Sequence, residues 1–197
     1  MNIQNLKLTA LINGFSLLKI PLLAFVSPQV VELGENRSEV KIRLNYRTKN
    51  HLRVMYFGAL AMGAELSIAL MAVDQIQKKK KRIDFLFKDF EAKFLKRAEG
   101  TVHFICLEAD QVKALIDEAA ETSERLERKF TGHATVPEVS EDPVMTYTLT
   151  LSVRNRSKYI KTSHSLCFVQ ATLASHSAIM SSMILRQGFT SFTIPTD

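Results

Sequence analysis

A single acid, Glu65, stands in an otherwise apolar run. Ala59 to Ala64 precede it, and Leu66 to Val73 follow with only Ser67 polar among them. A helix built from this run is apolar on every side, which marks it as enclosed by the rest of the fold. A carboxylate is costly to bury unless it is paired, hydrogen-bonded or protonated. Glu65 is therefore either a structural acid, paired with Arg43 or Arg53 or capping a backbone group, or an acid held for chemistry. Asn50 and Gly58 lie upstream of it. In the plainest reading Gly58 allows a tight strand-to-helix turn and Asn50 is a loop residue. Tyr56, just before Gly58, can offer a hydroxyl donor or simply fill core space with its ring.

The elements that must hold these residues read as follows. Residues 8–26 are an apolar stretch interrupted by Asn13, Lys19 and Pro21, and they read as an amphipathic N-terminal helix that ends before Pro21. "VVELGENRSEV" reads as a strand, a Gly34-Glu35-Asn36 turn and the start of a second strand. "VKIRLNYR" alternates Val40, Ile42, Leu44 and Tyr46 with polar residues, the period of a half-buried strand. The apolar helix covers about 58–76. "RIDFLFKDFEAKFLKR" and "TVHFICLE" read as strands. Asp110 is a plausible N-cap for an amphipathic helix with Val112, Leu115, Ile116 and Ala119 on one face. "RLERKFTGHATV" and "MTYTLTLSV" are further strands, the second placing Met145, Tyr147, Leu149, Leu151 and Val153 on one side. One long buried helix among antiparallel strands predicts an α+β fold, with one sheet wrapped around its central helix.

A length of 197 residues supports one domain with a real core. We divide the chain into a domain over 1–156, with its N-terminal helix, and an extension over 157–197. The extension holds 13 Ser and Thr, and its only acid is Asp197. "CFVQATLASHSAIMSSMILRQG" within it can form a helix ending at Gly188. The net charge of +6 favours anionic partners. The excess is local: residues 78–97 carry nine basic residues, Lys78, Lys79, Lys80 and Lys81 among them, against three acids. The plain reading of that run is a solvated face. Cys106 and Cys167 suggest neither a disulfide scaffold nor a zinc site, and a reducing, cytoplasmic setting is the default. His51, His103 and His133 have no metal-ligand spacing, so no metal site is expected. The interrupted apolar stretch near the N-terminus predicts no stable membrane insertion. Nucleic-acid binding would rest on the basic run alone, without a recognised aromatic motif.

The spacing Asn50, Tyr56-Phe57-Gly58, Glu65 resembles the hot-dog fold acyl-CoA thioesterases over about residues 5–155. In one branch of that superfamily an Asn is followed by His-Gly-Gly at the head of the central helix, and an acid follows seven residues later. Asn50, Gly58 and Glu65 keep the spacing without a gap. Tyr56 and Phe57 depart from it, and Arg53 stands where a Gly often precedes the motif. The pattern is most similar to an uncharacterised branch of thioesterase-like proteins. The resemblance implies an acyl-CoA thioester hydrolase, a homodimer or dimer of dimers, with no cofactor beyond the CoA of its substrate. It implies that the helix N-terminus near Gly58 stabilises the developing oxyanion, where a well-placed donor is worth about 3 kcal/mol. Glu65 would activate water or attack the thioester from the neighbouring subunit's side of a shared cleft, and Asn50 would hold the water or carbonyl. Tyr56 and Phe57 would contact the acyl group, and Lys78 to Lys81 would meet the CoA phosphates. The alternative is a non-catalytic acyl-CoA or lipid-binding hot-dog protein in which Tyr56 and Phe57 close the cleft.

Overall fold

The computed structural model describes residues 3–157. The expectations for the extension, including the helix ending at Gly188, lie outside them. Two N-terminal helices, α1 (Ile3–Lys19) and α2 (Pro21–Val26), precede the strands β1 (Gln29–Leu33) and β2 (Ser38–Ile42). The long helix α3 (Phe57–Lys79) leads to β3 (Ile83–Phe94), β4 (Val102–Cys106), α4 (Ala109–Glu121), β5 (Arg125–Val136) and β6 (Ser140–Asn155). The six strands form one antiparallel sheet in the order β1-β2-β4-β5-β6-β3. As expected, the fold is α+β with α3 lying on the concave face of the sheet. Pro21 ends α1, since it disfavours helical geometry at Ile20 and supplies no N–H, and it opens α2 at a position where no N–H is needed.

Side chains alternate as the β6 pattern predicts. Met145, Tyr147, Leu149, Leu151 and Val153 are all buried against α3 and α4 in one apolar cluster. Small residues let α3 come close to the sheet. A Cβ on Gly63 would lie 2.2 Å from the Phe104 ring, while within the sheet Gly132 leaves room for the Tyr147 ring, which a Cβ there would meet at 2.4 Å. One turn along α3, Ser67 meets the buried Tyr147 hydroxyl at 2.7 Å and hydrogen-bonds the Ala64 carbonyl. Burial pushes the Tyr147 phenol well above its ordinary range, so it stays neutral and serves packing.

Two local expectations are corrected. The β2 alternation does not run on to Tyr46: the strand stops at Ile42, and Tyr46 is among the most exposed aromatics. The cause is side-chain competition for the backbone. Thr48 accepts the Asn45 N–H and donates to the Arg43 carbonyl, while Asn45 Oδ1 accepts the Arg47 N–H. Asp110 is not the N-cap of α4. Glu108 holds that position and sends its carboxylate to the Thr131 N–H at 2.6 Å, leaving Asp110 in the first turn.

Candidate functional site

The first three amides of α3, those of Phe57, Gly58 and Ala59, precede the first helical bond, which runs from the Leu60 N–H to the Tyr56 carbonyl. They are donors with no acceptor inside the helix, at its positive end. Two anchors fix that end: the Tyr56 N–H to the Thr48 carbonyl at 2.7 Å, and the Met55 N–H to the Ala98 carbonyl at 2.9 Å. Tyr56 does not fill the core. It is exposed, and a Cβ on Gly58 would lie 2.7 Å from its ring, so the ring folds over the first turn of α3. Phe57 is also exposed and stacks edge-on against Phe94 of β3, with centroids 5.7 Å apart.

Glu65 lies two residues from Gly63 and two from Ser67, both of which face the sheet. At 100° per residue it points to the opposite side of α3. It is seven residues from Gly58, hence on the same face and about 10 Å along the axis. The expectation that α3 is enclosed on every side is therefore corrected: Gly58, Ala61 and Met62 are half-buried and Glu65 is exposed. No described residue hydrogen-bonds or ion-pairs with Glu65, so Arg43 and Arg53 are not its partners. Although water reaches it, apolar neighbours desolvate the carboxyl and hold it above the ordinary carboxylate range.

Asn50 shapes the loop before α3. Its Oδ1 accepts the Leu52 and Val54 amides, its N–H reaches the Val54 carbonyl, and its own carbonyl accepts the Arg53 N–H. Arg53 adopts a left-handed φ of 64°. That geometry favours glycine, which explains why a Gly suits the position. The lysine run lies at the other end of α3. Lys78 pairs with Asp74, Lys79 with Asp117 and Lys81 with Glu121, while Lys80 caps the helix in a left-handed turn. Within one chain Lys78 is about 30 Å along the helix from Gly58. The structure thus brings Gly58, Tyr56, Phe57 and Glu65 to one region, places Asn50 in the adjoining loop, and sets Lys78 to Lys81 apart.

Two features escaped the sequence reading. On the outer face of the sheet, Glu39 is buried between His103 and Arg37, with both contacts at 2.6 Å. The His103 hydrogen bond and the Arg37 guanidinium hold its carboxyl below the usual range. Period-two spacing within β2 and β4 could have shown that face, but not the cross-strand register. A cavity of about 430 Å³ also opens on the outer face, where Thr131 and His133 of β5 meet Thr146 and Thr148 of β6. It lies on the face opposite α3 and does not coincide with the α3 region. Among the described residues no cluster of metal-ligating side chains occurs.

A sheet wrapped on one long helix, with that helix's N-terminus and an acid on one open face, defines a protein of the hot-dog fold, built like the thioesterases of that class. The chain belongs to the DUF4442 family, a domain of unknown function, whose model matches residues 9–153. Solved structures share the fold. A protein of unknown function from Pseudomonas aeruginosa, described as a probable thioesterase, aligns with a TM-score of 0.61 and 20% identity over 75% of this chain and 96% of its own. A thioesterase from Haemophilus influenzae gives 0.56 and 15% over 84% and 96%. A thioesterase family protein from Silicibacter pomeroyi gives 0.53 and 16% over 75% and 98%. At these identities the likeness is one of fold. No curated protein matches the chain.

Proposed function

We propose that the protein hydrolyses acyl-CoA thioesters as a cytoplasmic homodimer, using Glu65 as proton acceptor or nucleophile. One observation carries the reading: Glu65 is a carboxylate without a partner among the described residues, shifted toward protonation, on the same α3 face as Gly58. A carboxylate whose pKa is raised is a better proton acceptor than an ordinary one. The hot-dog neighbours that bear the name thioesterase point the same way. The thioester carbonyl sits at the free amides of Phe57, Gly58 and Ala59, which stabilise the oxyanion. Water attacks the carbonyl carbon as Glu65 takes its proton; collapse expels the CoA sulfur, which leaves as a thiol after receiving that proton. In the nucleophilic variant Glu65 attacks first, and water then hydrolyses the resulting anhydride. About 10 Å separates Gly58 from Glu65 along one helix. The resemblance to hot-dog thioesterases implies that the acid of one subunit serves the helix N-terminus of its partner, and the spacing within one helix is compatible with that arrangement. Asn50 keeps its side-chain N–H groups for the water or carbonyl, since its Oδ1 is committed to the loop.

A panel of acyl-CoAs with free-thiol detection tests the reading. Glu65→Gln should keep the fold and lower turnover at least about a hundredfold, the low end for a general base. Replacing Lys78 to Lys81 with Ser should weaken CoA binding and flatten its salt dependence; unchanged binding assigns the run to its ion pairs. A second reading, an acyl-CoA carrier without turnover, is favoured by the Tyr56 ring that shades Gly58. Wild-type protein that binds acyl-CoA and releases no thiol would establish it.

A further inference from the structure

The N-terminal corner of the domain has a surface that neither the core nor the α3 site uses. Helix α2 buries Leu23 and Val26 and turns Leu22 and Phe25 outward, so its solvent side is as apolar as its core side. Leu18 and Ile20, at the junction with α1, are exposed as well. Arg47 ties the loop after β2 to this corner: its guanidinium lies 5.8 Å from the Phe25 ring centroid and 5.7 Å from that of Tyr46. Its buried Nε has no hydrogen-bond partner, and Arg47 forms no ion pair among the described residues. Tyr46 beside it is 78% exposed. The chain segments that build this corner carry only cations. Residues 1–31 and 40–64 contain no Asp or Glu, while Lys19 ends α1 next to α2, and Arg43 and Lys49 flank Arg47 in the loop that reaches Phe25.

We infer that this corner docks reversibly on an anionic lipid surface. Exposed aliphatic and aromatic side chains flanked by unneutralised cations suit the boundary between acyl chains and headgroups, where apolar groups enter a few ångströms and Lys and Arg meet the phosphates. The other occupants fit less well. Nucleic acid would use the cations and rings but gains nothing from Leu18, Ile20 and Leu22. Residues 158–197 carry Lys158, Lys161 and Arg186 against Asp197 alone, so they bring no neutralising charge. A second copy related by a two-fold axis sets the same cations against themselves. The contact is peripheral: α3 is the one described helix long and apolar enough to cross a bilayer, and it is the core helix. The inference is independent of thioester hydrolysis.

The chain contains no Trp, so Leu22→Trp gives a single fluorescent reporter at an exposed position. Full-length L22W should shift its emission to the blue with phosphatidylcholine vesicles that contain phosphatidylserine, and not with phosphatidylcholine alone. Added salt should reverse the shift. In the wild-type background, Arg43→Gln with Lys49→Gln, both at exposed positions, should weaken vesicle co-sedimentation at least tenfold without changing the melting temperature. Lys78→Ser with Lys80→Ser, at the far end of α3, should leave it unchanged. Equal response to both vesicle types, no response to either, or displacement of vesicles by duplex DNA would overturn the inference.

Discussion

The two edges of the sheet are finished in opposite ways. At one edge α1 runs beside β1 and supplies partners that no strand provides. The Thr9 hydroxyl accepts the Val30 N–H at 3.0 Å, Asn13 donates to the Pro28 carbonyl at 3.1 Å, and Asn5 donates to the Val31 carbonyl. Asn5, Thr9 and Asn13 recur every four residues, so one helix face carries all three. Beside them Leu8 and Ile12 join Leu66 and Leu70 of α3 in a second apolar cluster. At the other edge β3 is twelve residues long, pairs on one side only, and exposes Leu86, Phe90 and Phe94. An unpaired, apolar edge of that length invites another strand. The chain covers the β1 edge with its own helix and leaves the longer β3 edge unpaired. It treats α3 in the same way: the side toward α1 is sealed, and the face with Gly58 and Glu65 is not.

The sharpest way to break this contrast is to charge the open edge. Phe90 and Phe94 lie opposite Leu149 and Met145 of β6, on the concave side of β3. If the proposed dimer pairs through β3, Phe90→Lys with Phe94→Lys should leave a monomer of 22.2 kDa by light scattering and remove the proposed turnover with it. A dimer that survives both changes would place the interface elsewhere.

Glu65 gives the next largest effect, and its sign is informative. Partial desolvation of the carboxyl raises its folded pKa above the unfolded value. The folded state then binds the proton more tightly, so the stability this group contributes is full below the unfolded pKa and is lost as pH rises through the folded one. Glu65→Gln removes that loss. Its melting temperature should equal or exceed the wild type at pH 7, and the two should converge below about pH 4. A marked drop at pH 7 would mean that Glu65 is a structural acid with a partner. The pH profile of thioester hydrolysis should rise with an apparent pKa above the ordinary carboxylate range.

Much of this architecture was legible in the sequence. Alternation in β6 and the heptad-like spacing in α4 fixed the inward faces, because a period of two or of 3.6 maps directly onto a face. The spacing of Gly58 and Glu65 placed both on one face of α3, as residues seven apart on a helix must be. What local patterns could not show was what each surface meets. Glu65 looked enclosed because its neighbours are apolar, yet the face it lies on is left open by its own sheet. The Arg47 stack and the Glu39–His103 contact depend on residues 22 and 64 positions apart, which no periodicity reports. The early end of β2 came from Asn45 and Thr48, whose side chains outcompeted an alternation that was otherwise sound.

The smallest effect tests the closed edge. Val30 is buried, and its N–H points to Thr9 rather than to a strand. Thr9→Val keeps the shape of the side chain and removes the acceptor. A buried donor left without a partner costs about 1–2 kcal/mol, to be read as a lower midpoint in urea with an unchanged slope. The proposed dimer and its turnover should be unaffected, because β3 is untouched. If α1 also guards the edge against other chains, Thr9→Val with Asn13→Ala should raise concentration-dependent aggregation more than its stability loss explains, since freed edge groups recruit further strands. An equally destabilised core variant, Leu151→Ala, is the control; matching aggregation in the two would show that α1 contributes packing alone.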